Sequence, residues 1–366
     1  MDRDELAAWL QLLEAPGVGR ETARKLLAAF GSPQAVLAAT TAARRQVVGP
    51  RAAEALESLP SDVQALITTT QAWLAETGQG LRRVLTLGDA DYPSALFQTA
   101  DPPVLLYAQG RLDLLRCPTL AVVGSRNPTP GGVETAKAFA TSLSQAGVTI
   151  VSGLASGIDA AAHEGGLQGK GSTLAVVGTG LDRVYPREHR ELAHRIAHNG
   201  LLLSEYPLGT PPLAAHFPQR NRIIAGLSQG TLVVEAALQS GSLITARMAL
   251  EAGRDVFAIP GSIHSPQSRG CHVLIKQGAK LVDAAQDILD EMHLRPAVEL
   301  SASPHANEKD PDGLLDALGF DPVTIDALVA RTGWSAAELN VRLLDLELAG
   351  RVARLPGQLF QRVVQG

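Results

Sequence analysis

A chain of 366 residues with 45% hydrophobic but only 4% aromatic residues is longer than one hydrophobic core organises. Its interior must be filled by Ala, Val, Leu and Ile, so a large domain of helices on a buried parallel sheet with smaller flanking domains is expected. The net charge of −5 argues against a surface coated by nucleic acid but permits a local basic groove. Cys117 and Cys271 lie far apart and outside any CxxC or His/Cys spacing, so neither a disulfide framework nor a structural zinc site is suggested. The charged start Met1-Asp-Arg-Asp-Glu5 is unlike a signal peptide, and no apolar run reaches the roughly 18 to 20 residues of a membrane helix. A cytoplasmic protein without membrane insertion is expected.

Residues 1–78 read as short helices. Leu6, Leu10 and Leu13 share a face, Pro16-Gly-Val-Gly19 interrupts the pattern, and Thr22 to Phe30 resumes it. The turn with Arg20 has the form of a helix-hairpin-helix element, whose backbone amides can meet DNA phosphates without reading sequence; an ordinary helical-hairpin turn is the alternative. Residues 79–294 read as α/β. Strands are expected at Leu81–Leu87 and Pro102–Tyr107, then at Leu120–Val123, Val148–Val151, Thr173–Val177, Leu201–Leu203, Thr231–Val234 and Asp255–Ile259. Between the later ones lie Ala-rich amphipathic stretches at Ala136–Gln145, Ile158–Leu167, Glu188–Ala197, Asn221–Leu227 and Leu243–Glu251. Repeated βα units predict an extended Rossmann-like, doubly wound, mainly parallel sheet. Residues 295–312, rich in Pro, Ser and charge, read as a linker. Residues 313–366 give helices at Leu314–Leu318, Thr324–Thr332 and Ser335–Ala349 and a hairpin around Pro356-Gly357, a winged-helix pattern.

Three strands end in glycine-rich turns: Gly124-Ser125-Arg126, Ser152-Gly153 and Gly178-Thr179-Gly180. Turns of this kind expose backbone N–H groups at helix starts and are expected to gather at one sheet edge, where they can hold a phosphate. Tight strand-to-helix turning is the plainer role of each glycine. A dinucleotide cofactor is disfavoured, since Gly124 does not open a GxGxxG sequence and Ser152 stands where a ribose-binding acid belongs; no cofactor is expected. Gly165-Gly-Leu-Gln-Gly169-Lys170 closes a helix and precedes a strand, the reverse of a P-loop. Arg126, Arg187, Arg220 and Arg222, the last two flanking Asn221, would line a groove suited to a phosphate ribbon. Pairing with Glu188, Glu191 or Glu205 is the alternative for them. Phe217 and Tyr185 can stack on unpaired bases or pack in the core.

Five motifs in order, Gly124-Ser-Arg126, Ser152 to His163, Gly178 to Pro186, Phe217 to Gly226 and Ser240-Gly241-Ser242 to Thr245, closely resemble the DNA processing protein A (DprA, or Smf) family. The resemblance implies a homodimer that binds and protects incoming single-stranded DNA, loads the RecA recombinase in natural transformation, and catalyses no reaction. It also implies that Arg126 and Arg187 are DNA contacts, that Arg220 to Arg222 fall in the signature helix, and that the flanking domains are a helical module of the SAM or helix-hairpin-helix kind and a winged helix. The rival reading is an enzyme: Gly230-Thr231 with Glu235 is similar to the pairing in lysine-decarboxylase-like nucleotide phosphoribohydrolases, in which Glu235 would act on a ribosyl bond. The histidines form no catalytic or metal-spaced set, apart from the i, i+4 pair His194 and His198, which reads as a solvated face. From Glu308 to the end, nine acids face six bases, and the third helix of the winged domain carries Glu338, Asp345 and Glu347 against Arg342. Phosphate approach would be repelled there, so this domain is expected chiefly to mediate protein contacts or to regulate the core.

Overall fold

The computed structural model describes residues 1–58, 60–78, 80–294 and 313–363; the linker expected at 295–312 lies outside them. One sheet of nine strands dominates: β1 (Arg82–Thr86), β2 (Leu105–Gly110), β3 (Thr119–Val123), β4 (Thr149–Ser152), β5 (Thr173–Val177), β6 (Leu201–Ser204), β7 (Gly230–Val233), β8 (Asp255–Ala258) and β9 (Lys280–Leu281). Their order is β1-β2-β6-β5-β4-β3-β7-β8-β9. The run from β6 to β9 is parallel, while β1 and β2 pair antiparallel at one edge.

Every residue of β3, β4 and β5 is buried, which is why these segments read as unbroken apolar runs and not as alternating ones. Their side chains still divide between the two faces. Leu120, Val122, Ile150, Leu232 and Phe257 enter one core, and Ala121, Val123, Val151, Val233 and Val256 the other. The parallel set starts in the middle, at β3; β4 to β6 step outward on one side, and β7 to β9 on the other. Winding thus reverses between β3 and β7, and the loops leaving those two strands part to open a crevice.

The expected helices differ mainly at their starts, and helices Arg269–Lys276 and Ala285–Glu291 come in addition to those expected. The one expected from Ala136 begins at Pro130, where Thr129 caps the Gly132 amide; proline at the first position suits a helix start, but Gly131-Gly132 disguises it. The one expected from Asn221 begins at His216, because Pro218 sits in the first turn, where its missing N–H costs nothing. The two-residue strand β9 is too short to carry an alternation.

Six helices occupy Arg3 to Ala75. Their core, with Leu6, Leu10 and Leu26, continues without a break into Val104, Leu105, Ile196 and Ala197 of the sheet domain. Inside this module the Arg44 side chain is 4% exposed. Its Nε donates to Val36 O (3.0 Å), Nη1 to Ala53 O (3.0 Å), and Nη2 to Leu37 O (2.9 Å) and Ala39 O (2.8 Å). One guanidinium therefore joins the ends of two short helices, Pro33–Ala38 and Pro50–Ala55, that would be marginal alone. Beyond residue 312, helices Leu314–Leu318, Ile325–Thr332 and Ala336–Leu348 pack on strands Val323–Thr324, Leu359–Arg362 and Val352–Leu355. Leu314, Leu328, Leu339, Leu343 and Phe360 form the core of this winged helix.

Arg44→Met keeps the side-chain stem but strands four carbonyls, two of them buried and two partly buried. It is expected to destabilise the helical module by about 3 kcal/mol, seen as a shift of the urea transition of the full chain, followed by emission of the buried Trp9 and Trp73, to lower denaturant. An unchanged midpoint would contradict this.

Candidate nucleic-acid interface

The crevice at the β3/β7 reversal is a cleft of about 710 Å³. Gly124, Ser125, Arg126 and Asn127 form one wall, and Ser240, Gly241 and Ser242 with Thr245 the other; Tyr185, Phe217, Arg220 and Asn221 reach in from the side of β5. Gly124 has no room for a side chain, because a Cβ would lie 2.6 Å from Ile158 and 2.9 Å from Glu235 O. The Ser125 amide donates to Glu235 O (2.7 Å), and the Ser125 hydroxyl accepts from the Asn127 amide (3.1 Å). These bonds turn Arg126 outward, its guanidinium 5.7 Å from the centre of the Phe217 ring. Phe217 also lies 5.5 Å from Tyr185, centre to centre, and Tyr185 is 47% exposed. On the far wall the Ser240 and Ser242 hydroxyls share a hydrogen bond of 2.7 Å at the start of helix Ser242–Glu251.

Arg220 forms the floor. It is 3% exposed, its Nη1 donates to Val176 O (2.9 Å), and its guanidinium fills the space where a Cβ on Gly153 would be, 1.4 Å away. Burial is the main influence pushing this guanidinium toward its neutral form; Arg126 acts in the same direction, while Asp159 opposes both. Asp159 is the one carboxylate lining the cleft among the described residues. Two cations that repel each other across a cleft with one buried acid make a site that favours an added anion.

The Gly153, Leu154 and Ala155 amides of the second glycine loop are paired within the protein and not offered to a ligand, contrary to expectation. Asp159 accepts from Gly153 N (3.1 Å) and Ala155 N (3.3 Å), and His163 Nε2 accepts from Leu154 N (3.2 Å). His189 Nδ1 donates to Leu154 O (2.9 Å), so both peptide groups of Leu154, which has a left-handed φ of 58°, are held. In the third loop Gly180 N donates to Thr210 O, Thr179 Oγ1 to Arg183 O, and Gly178 O accepts from His216. Ser152 Oγ donates to Val122 O. Ser152, Gly153, Gly178, Thr179 and Gly180 therefore shape the walls from behind, and side-chain cations, with the β3 loop, face the cleft. The physical reason is that buried N–H groups must be paired, and acids and histidines of the neighbouring helix are nearer than any ligand.

Arg222 is likewise turned away. Its Nη2 donates to both Glu205 oxygens (2.5 Å each), and its Nε lies 3.1 Å from Asp101. Arg20 and Arg24 of the helical module join the same two carboxylates, Arg20 at 3.2 Å from Asp101 and 3.3 Å from Glu205, Arg24 at 2.6 Å from Asp101. The pairing with Glu205 weighed for Arg222 is thus the one observed, and Arg20 of the hairpin-like turn points at the sheet domain. Arg187 is exposed in the short turn Arg187–His189, outside the cleft lining. Glu235 does not reach the cleft. Its carboxylate accepts from Thr129 N (2.9 Å) and Thr129 Oγ1 (2.6 Å) behind Gly132, where a Cβ would lie 2.5 Å from it. Sequence reasoning missed Asp159, His163 and His189 as the groups that hold the site; the only signal was the i, i+4 spacing of Asp159 and His163 in the helix that follows Gly157, and His189, in a separate turn, left none.

The profile of the family described as DNA recombination-mediator protein A matches residues 83–293, and that of the DprA winged helix domain matches residues 298–358. The chain belongs to the DNA processing protein A (DprA/Smf) family. It is 44% identical over 301 residues to Protein Smf of Escherichia coli, covering 80% of this chain and 79% of that one. With the DNA processing protein DprA of Streptococcus pneumoniae it shares 53% identity over 203 residues, 56% of this chain and 72% of that one. A crystal structure of the pneumococcal DprA superposes with a TM-score of 0.68 at 40% identity, over 78% of this chain and 97% of that one. A structure of Helicobacter pylori DNA processing protein A, described for its single-stranded DNA binding mode, gives 0.53 at 32% identity, over 58% and 96%.

The His163 ring accepts the Leu154 amide at Nε2 and lies 2.7 Å from Thr173 Oγ1 at Nδ1; Thr173 Oγ1 itself donates to Ile150 O, so the ring is neutral with its proton on Nδ1. Burial pushes its pKa down from 6.5 to about 3. The unfolded chain therefore takes up a proton that the fold refuses, and this contribution to stability is lost as pH falls from about 6.5 toward 3, by about 1–2 kcal/mol at pH 5. Asp159, whose pKa burial raises, works in the opposite sense. His163→Gln is accordingly expected to lose less stability between pH 8 and pH 5 than the parent in urea melts; equal losses would show that His163 is not the group.

Proposed function

We propose that this chain is a cytoplasmic, homodimeric protein that binds single-stranded DNA in the β3/β7 cleft, protects the incoming strand and loads the RecA recombinase on it in natural transformation, with no reaction of its own. The observation that carries the DNA reading is the grouping of Arg126 over Phe217, beside exposed Tyr185 and above buried Arg220. Cations supply contacts to the phosphates, and two aromatic rings at the mouth supply faces for bases that only an unpaired strand can present. The DprA relative of known single-strand binding mode supports the same ligand. A binding role without catalysis is supported by Glu235, whose carboxylate is engaged by Thr129 behind Gly132. Dimerisation and RecA loading rest on the family resemblance; size-exclusion chromatography and RecA assembly on a strand covered by single-strand-binding protein test them.

Arg126→Ala and Phe217→Ala are each expected to weaken binding of a fluorescent oligo-dT by about 1–3 kcal/mol, or roughly 5- to 150-fold, without lowering the melting temperature. Anisotropy titrations at several salt concentrations check this, and the logarithm of the affinity should fall linearly with that of salt, less steeply for Arg126→Ala. Tighter or equal binding of a blunt duplex, or parental affinity in both variants, would refute the assignment.

A further inference from the structure

Helix Ala336–Leu348, the third of the winged domain, is apolar on two opposite faces. Leu339 and Leu343 point inward and are buried, with Leu346 packed beside them. At 100° per residue, Val341, Leu344 and Leu348 fall on the opposite side, and they are 64%, 54% and 80% exposed. A solvent-facing side of a helix is ordinarily polar, and a contiguous apolar stripe there marks a contact surface. The stripe is edged by acids: Glu338 and Asp345 lie along one side of it and Glu347 along the other, as the same helical spacing places them. Four of the five arginines among this domain's described residues are engaged elsewhere. Arg331 donates to Ala317 O, Arg342 covers Trp334, Arg354 covers Phe360, and Arg362 covers Phe320.

We propose that this outer face of helix Ala336–Leu348 is a docking surface for an amphipathic segment of a partner protein whose apolar face is flanked by lysine or arginine. Charge complementarity selects the occupant. A phosphate backbone placed here would meet carboxylates where a DNA-reading helix presents cations. A second copy of the same helix would bring Asp345 and Glu347 against like charges. A cationic amphipathic helix instead buries Val341, Leu344 and Leu348 and pairs with both acidic edges. The proposal is independent of what the cleft holds.

The probe is a fluorescein-labelled synthetic peptide of about 18 residues with leucines at helical spacing and lysines on both sides of the stripe, titrated by anisotropy against the full chain. A scrambled peptide of identical composition serves as the control for charge alone. Saturable binding is expected, tighter for the amphipathic peptide than for the scrambled one, weakened as salt rises from about 50 to 500 mM, and reduced about tenfold or more by L344Q/L348Q. D345N/E347Q should flatten the salt dependence. Since the replaced leucines are exposed, both variants should keep the parental circular dichroism, melting temperature and oligo-dT affinity. Equal binding of the two peptides, or parental peptide affinity in L344Q/L348Q, overturns the proposal. Self-association that L344Q/L348Q abolishes would assign the face to a second copy, and duplex-DNA binding lost in that variant would assign it to DNA; either result overturns it too.

Discussion

The guanidinium of Arg220 lies against the backbone of Gly153 with Asp159 the main group that offsets its charge, and much of the cleft follows from that placement. A buried cation is tolerated when polar groups surround it and a carboxylate offsets its field. Here Val176 O takes one hydrogen bond, and Asp159, recruited for charge, also accepts the Gly153 and Ala155 amides. The second glycine loop is therefore fastened by the same acid that balances the arginine. His163 and His189 then complete the pairing around Leu154. The cation that forms the floor of the cleft is also the one the fold must compensate.

Charge is distributed with the same economy elsewhere. A chain of net charge −5 can still offer anions a cleft with one lining carboxylate among the described residues, because nearby acids are engaged elsewhere. Asp101 and Glu205 receive Arg20, Arg24 and Arg222, three cations on two carboxylates, so the helical module is tied to the sheet domain by ion pairs as well as by the shared core of Leu10, Leu26, Leu105 and Ile196. The partly buried members of this network are the ones that matter; side chains as exposed as Arg116 and Asp91 contribute little when they pair.

The sheet was legible in the sequence because strands buried on both faces carry no polar alternation, and the Ala-rich stretches between them had the period and length of covering helices. Its reversal at β3 and β7 was not legible, since nothing local in Gly230-Thr-Leu-Val233 says on which side of β3 it pairs. Of the residues expected at the site, Gly124, Ser125, Arg126, Phe217, Arg220, Asn221 and Ser240 to Ser242 gather around one cleft, whereas Arg222 and the second and third glycine loops face inward. Arg220 and Arg222 show why. They are two residues apart on one helix, about 200° around it, so one can look into the cleft only if the other looks away. Residue type announces a guanidinium; the helical phase of a helix whose start was misplaced by five residues decides where it points. Asp159 and His163 escaped for a related reason, as both hold amides of the Gly153–Ala155 loop, and backbone partners leave no mark in a sequence.

Gly157 gives the cleft one more property. A Cβ at this position would lie 2.4 Å from Ser125 O, and the Ile158 amide donates to the same oxygen, so the loops after β3 and β4 touch backbone to backbone with no side chain between them. Contacts of that kind have no rotamers to rearrange. The wall formed by Gly124 to Asn127 is thus braced from behind by fixed backbone, and for the ligand proposed above this part of the protein has little conformational entropy to lose on association. Under those conditions residence time, set by how many contacts must break together, and not the rate of capture, becomes the quantity that changes in the wall residues tune.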